Sequence, residues 1–181
     1  MQFRPLPLAG AWLIELEPIR DARGFNARAF CAREFEQHGL CTRFVQTNVI
    51  ANGPRGTLRG MHWQAPPAAE VKLFRVTRGA IFDVIVDLRP KSPTYTQWTS
   101  LELHAGDYTM LYVPERFGQG FQTLEDDTEL TYQVSAFYTP EAGRGFRPDD
   151  PAFGIPWPLP VSVISDKDRS WPDFVPEPAA G

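Results

Sequence analysis

Between Ala80 and Leu88 the chain is apolar except at Asp83 and Asp87, whose even spacing puts both on one side of an extended strand. Phe82, Val84, Val86 and Leu88 share one face, and Ile81, Asp83, Ile85 and Asp87 share the other. The run Arg89-Pro90-Lys91-Ser92-Pro93 ends this strand in a turn. Similar patterns predict strands over Trp12–Glu17, Phe44–Ile50, Leu58–His62, Lys72–Thr77, Thr96–Leu103, Thr109–Val113, Phe121–Thr123 and Leu130–Phe137. A helix is predicted only from Ala32 to His38, closed by Gly39. Many short strands without βαβ alternation predict an all-β fold, a closed barrel or jelly roll with few short helices.

Composition narrows the class. The 181 residues suit one domain spanning 1–181, and 18 prolines and 14 glycines punctuate it as short strands require. The Pro- and Ala-rich stretch 172–181 is expected to be a flexible, exposed end. A net charge of -4 argues against a nucleic-acid binder, whose surface is normally basic, while leaving room for a local basic pocket. Cys31 and Cys41 are too few for a disulfide framework. No signal peptide and no run of about 20 apolar residues is present, so no membrane contact and a cytoplasmic location are expected.

An imidazole base has three candidates. His38 falls at a helix end beside Gly39, and His104 precedes the turn Ala105-Gly106-Asp107. His62 lies in a strand, where alternation sets Leu58, Gly60, His62 and Gln64 on one face and Arg59, Met61 and Trp63 on the other. A lone strand histidine is more often structural than catalytic. Lys72 shares a face with Phe74 and Val76, as a snorkelling edge lysine also would. Tyr132 sits mid-strand between Leu130 and Val134, a place equally suited to a core tyrosine. Asp166-Lys167-Asp168 reads by itself as a charged turn.

Taken together, in order, these segments resemble the dTDP-4-dehydrorhamnose 3,5-epimerase family of activated deoxysugar biosynthesis. The pieces are Asp21–Gly24, Phe44–Asn48, Leu58–Gln64, Val71–Val76, Gly79–Val84, Val86–Arg89, Val113–Phe117, Tyr132, Asp149–Pro151, Ile155–Pro158 and Ser165–Asp168. The resemblance implies a cupin-like jelly roll and a homodimer whose chains contribute to each other's sites. It implies no metal and no organic cofactor. It assigns His62 as base, Asp168 as its carboxylate partner, Tyr132 as acid on the opposite face, and Lys72 to the sugar keto oxygen. Arg23, Arg28, Gln46, Asn48, Arg59, Lys72, Gln119, Lys167 and Tyr138 fall at ligand-contacting positions, Tyr138 where an aromatic ring stacks on the base. The implied ligand is a nucleotide-diphosphate 4-keto sugar.

Those groups suit the reaction. A hydrogen beside a ketone is removable because its electrons delocalise into an enolate. Histidine, with an ordinary pKa of about 6.5, is largely neutral and basic at pH 7. A carboxylate fixes its tautomer, a lysine stabilises the growing oxyanion, and a tyrosine supplies the returning proton. Arginine and lysine suit the diphosphate.

Four positions depart from the family pattern: Asn26 for Phe, Arg28 for Glu, Gln119 for His and Gly143 for Glu. Two lost carboxylates predict a more positive, roomier pocket and a poor fit for the dTDP sugar compared with another nucleotide sugar. Two rival readings are a metal-dependent cupin enzyme and a sugar-nucleotide binding protein without catalysis. Metal sites usually need several imidazoles, and Gln64 and Gln119 stand where they would be wanted. A pure binder leaves unexplained why His62, Lys72, Tyr132 and Asp168 occur together.

Overall fold

The computed structural model describes residues 1–176. In chain order the first strands are β1 (Gln2–Pro5), β2 (Trp12–Glu15), β3 (Ile19–Asp21), β4 (Gly24–Asn26), β5 (Gln46–Ala51), β6 (Thr57–Gln64) and β7 (Lys72–Arg78). There follow β8 (Ala80–Asp87), β9 (Trp98–His104), β10 (Thr109–Val113), β11 (Phe117–Thr123), β12 (Glu129–Val134), β13 (Gly143–Gly145) and β14 (Val163–Ile164). The helices are α1 (Ala32–Gln37) and α2 (Asp166–Arg169).

Two sheets pack face to face. One runs β1-β2-β10-β7-β12-β5, the other β13-β6-β11-β8-β9 with β14 added parallel to β6. Between them Phe74, Val76, Leu111, Val113 and Leu130 of the first sheet meet Ile81, Ile85, Leu103, Phe117 and Phe121 of the second. This is the jelly-roll sandwich expected of the sequence. Both faces of β8 are covered: Val84 and Val86 lie beneath Met61, Phe146, Phe153 and Ile155 on the outside. Helix α1 seals the outer face of the first sheet by setting Phe35 among Leu73, Met110 and Tyr112.

Each expected strand exists, with ends moved for identifiable reasons. The strand expected from Thr96 starts at Trp98, because Thr96 adopts φ 62 and cannot extend the ladder. β11 reaches back to Phe117, a stretch whose alternation Gly118 and Gly120 conceal. β12 stops at Val134 rather than Phe137. Strands β1, β3, β4, β13 and β14 are too short to carry a legible period. The segment 166–169, expected as a charged turn, is a helical turn capped by Ser165, whose hydroxyl accepts from the Asp168 N–H at 3.0 Å.

The expected exposed tail carries one anchored residue in its described part. Phe174 packs on Phe146 and Phe153, its N–H donates to Asp150, and Asp173 pairs with Arg147. Phe174 is therefore anchored, Pro172, Asp173, Val175 and Pro176 are exposed, and 177–181 lie outside the described residues.

One irregularity shapes the site. His62 pairs with Gln119 and Arg59 with Phe121, so three steps along β6 oppose two along β11. The extra residue is a bulge, which breaks the alternation expected for this strand. Arg59 and His62 consequently line the same cleft, while Met61 turns to the outer core. Gly60, at φ 132, makes this possible: a Cβ there would stand 2.5 Å from the Gly120 Cα.

Candidate active site

A cleft of about 860 Å³ opens between the sheets, where β5 ends one and β6, β13 and β14 end the other. That volume suits a ligand of nucleotide-sugar size. The register of the first sheet sets two rows across one wall. Gln46, Val134 and Lys72 form one row, and Asn48, Tyr132 and Phe74 the next. The opposite wall carries His62 beside Gln119.

His62 meets Asp168 through Nε2 and Oδ1 at 2.6 Å, with the carboxylate nearly enclosed (6% exposed) and the imidazole open (40%). The other carboxylate oxygen accepts from the Gly60 N–H at 3.2 Å. Burial pushes the Asp168 pKa upward, but the His62 hydrogen bond and charge, the Gly60 N–H and Ser165 outweigh it and hold it below the ordinary value. An ionised acceptor at Nε2 keeps the proton there and leaves Nδ1 as the basic nitrogen. Fold and sequence converge here, since α2 brings Asp168 to a strand residue 106 positions earlier.

Lys72 and Tyr132 stand on the facing wall. The Lys72 ammonium lies 3.4 Å from the His62 carbonyl and 3.6 Å from a Glu70 carboxylate oxygen. The Tyr132 ring stacks on Phe74, with centroids 4.9 Å apart. Its pKa is raised, first by burial and then by Glu70, against the opposing charge of Arg59, so the phenol remains a proton donor at neutral pH.

Gln46, Asn48, Arg59, Gln119, Tyr138 and Lys167 also line the cleft. Gln46 accepts from the Tyr138 N–H at 3.2 Å, placing the exposed Tyr138 ring at the rim. The Arg59 Nε donates to Asn52 at 2.8 Å. The Gln119 amide donates to Asp83 at 3.0 Å, which leaves its buried oxygen without a partner. Arg23 and Arg28 are not brought to the cleft of their own chain. Arg23 sits on the exposed β3–β4 hairpin, paired with Asp21, and Arg28 pairs with Glu34 at 2.7 Å. Among the described residues no group of three or more His, Cys, Asp or Glu side chains is placed to hold a metal ion.

Sequence reasoning missed three cleft residues or neighbours. Glu70 lies two residues before Lys72, the same-side spacing of extended chain, and that signal was available. Asp83 interrupts the Ile81 and Ile85 face, as a buried acid does. Trp171 gave no signal; its ring closes the cleft over Gly145 and lies 5.4 Å from the Lys167 ammonium.

The profile of the dTDP-4-dehydrorhamnose 3,5-epimerase family matches residues 5–175. The chain belongs to that family. Its members are isomerases, and this chain is a carbohydrate epimerase of the same type. It is similar to the dTDP-4-dehydrorhamnose 3,5-epimerase of Sinorhizobium fredii, at 41% identity over 99% of this chain and 93% of that one. The crystal structure of the Bacillus anthracis dTDP-4-dehydrorhamnose 3,5-epimerase, with TDP and PPi bound, superposes with a TM-score of 0.92. It is 38% identical, over 96% of this chain and 99% of that one. A Legionella pneumophila epimerase in complex with dTDP-4-keto-L-rhamnose superposes at 0.88 with 32% identity, over 95% and 92% of the two chains.

Proposed function

We propose that this epimerase inverts C3 and C5 of a dTDP-linked 4-keto-6-deoxy sugar through enolate intermediates, with His62 as base and Tyr132 as acid. The observation that carries the reading is the His62–Asp168 dyad on one wall of a cleft whose other wall presents Tyr132 and Lys72. His62 Nδ1 takes the proton beside the ketone, and Asp168 stabilises the imidazolium that forms. The Lys72 ammonium meets the negative charge growing on the keto oxygen, in a site already organised for it. Tyr132 then protonates the opposite face of the ring carbon. Exchange with solvent returns a proton to Tyr132 and removes one from His62, so no redox step is needed.

The expected aversion to a dTDP sugar rested on Arg28 and Gly143. Glu34 holds Arg28 away from the cleft, so Arg28 adds no positive charge to it within one chain. Gly143, which does line the cleft, is the replacement left to act on the ligand. The homodimer belongs to the same proposal. All six residues of strands β3 and β4 are exposed, Ile19 at 76%, and the turn between them presents Arg23 outward, which supports a role for it in a neighbouring chain's cleft. A cytoplasmic location fits two free cysteines, and no described helix is long and apolar enough to cross a membrane.

Incubation in D2O with dTDP-, CDP-, UDP- and GDP-linked 4-keto-6-deoxy sugars, followed by NMR, tests the whole reading. Deuterium should enter C3 and C5 fastest in the dTDP sugar. Entry at one carbon only refutes double inversion, and entry at none marks the chain as a binder.

Tyr132→Phe separates the two half-reactions. Removing the acid while leaving the base should slow inversion by about 10²–10⁴-fold while proton abstraction falls less. Inverted product at the parental rate would remove Tyr132 from the acid role.

A further inference from the structure

The ammonium of Lys72 is buried between the sheets, and burial favours the neutral amine. Its pKa is lowered, by burial above all, against the charge and hydrogen bond of Glu70 and the charge of Asp83. Three groups face it: Glu70 from the segment entering β7, the His62 carbonyl from β6, and Asp83 from β8. These are not equivalent. Burial pushes Asp83 up to about 8, so near neutral pH it is mainly protonated and offers little counter-charge. A carbonyl offers only a dipole. Glu70 is the full negative charge that remains.

Glu70 is also held in place. Its second oxygen accepts from the Gln64 amide at 3.0 Å, and both Glu70 and Lys72 side chains are 11% exposed. The two hydrogens of the Gln64 amide are shared among Glu70 and the Ala68 and Phe137 carbonyls, and its oxygen accepts from the Thr139 N–H at 2.6 Å. The carboxylate is thus fixed between the lysine and a closed network of loop backbone. Tyr132, on β12, feels the same anion, against the opposing charge of Arg59.

We propose that Glu70 is the positioning residue that keeps Lys72 charged and aimed into the cleft, so that a Glu70–Lys72 pair, rather than Lys72 alone, meets the enolate oxygen. The idea rests on the assignment of Lys72 to the keto oxygen. It implies that Glu70 acts on turnover through Lys72 and leaves ligand affinity nearly untouched.

The sign follows from the charge. Glu70→Gln keeps the shape and removes the anion, so Lys72 should lose its proton at lower pH, and activity should fall at the alkaline end first. The alkaline limb of kcat should move down by about 1–3 pH units, with KM nearly constant and activity recovered at lower pH. Glu70→Asp, which retains the charge, should stay closer to the parent. A second readout needs no turnover. The chain has three lysines, Lys72, Lys91 and Lys167, so NMR of protein labelled at the lysine ε-carbon can follow the Lys72 titration directly, with Lys72→Met as its assignment. A matching downward shift in Glu70→Gln, larger than that in Asp83→Asn, supports the pair. Superimposable Lys72 titrations in parent and Glu70→Gln overturn it, as does a larger shift in Asp83→Asn. If no nucleotide 4-keto sugar is turned over by the parent, the functional reading fails, and the lysine titration still decides on Glu70.

Discussion

His62→Ala is expected to cut deuterium uptake at both ring carbons by about 10²–10⁴-fold while the protein stays folded. The imidazole is open to the cleft, so its removal leaves the sandwich core between Phe74, Ile85 and Leu111 intact. The loss should appear in kcat, because the base acts on a ring hydrogen and not on the nucleotide. Asp168→Asn should give a smaller loss, since it removes the ionised acceptor that fixes the tautomer but keeps a base. NMR exchange rates, read beside circular dichroism of each variant, check both. A folded His62→Ala protein with near-parental exchange would transfer the base role to another residue.

Gly60→Ala should have the largest effect on stability of any single methyl added to the site. The new Cβ would meet the Gly120 Cα at 2.5 Å and the Gln119 carbonyl at 3.0 Å, in a backbone conformation at φ 132 that L-residues avoid. Neither neighbour is a flexible side-chain end, so β6 or β11 must shift. Overpacking and the disfavoured backbone together should cost about 2–5 kcal/mol, lowering the melting midpoint by about 5–15 °C. Catalysis should suffer as well, because Gly60 donates to Asp168 and His62 lies two residues on. Thermal unfolding and exchange rates measured together test this. Unchanged values of both would mean that the bulge adapts freely.

The strands and the sandwich were legible because runs rich in β-branched and aromatic residues, such as β7, β8 and β10, are separated by prolines and glycines. The dyad was not legible from spacing, since His62 and Asp168 meet only through the return of the chain as β14 and α2. It came from resemblance. The face of Arg59 was misjudged because alternation assumes an unbroken ladder, and a bulge at Gly60 leaves no hydrophobic trace. Arg23 and Arg28 could not be tied to the cleft by any local pattern, their surroundings being a separate hairpin and an ion pair with Glu34. Glu70 was readable in principle from its two-residue spacing to Lys72, but nothing in the sequence announces that Asp83 is neutralised by burial.

His62 and the Asp168 it meets lie 106 residues apart in the chain, so the histidine is synthesised well before its partner. On the ribosome, a nascent chain can assemble most of the sandwich with His62 already in its strand and still lack the group that orients it. Under the proposed roles, competence waits until the segment carrying Asp168 docks against β6. A product released before that segment lacks Ile164, Lys167 and Trp171 of the cleft lining as well as Asp168. Premature release thus costs a wall of the cleft together with the carboxylate that meets His62.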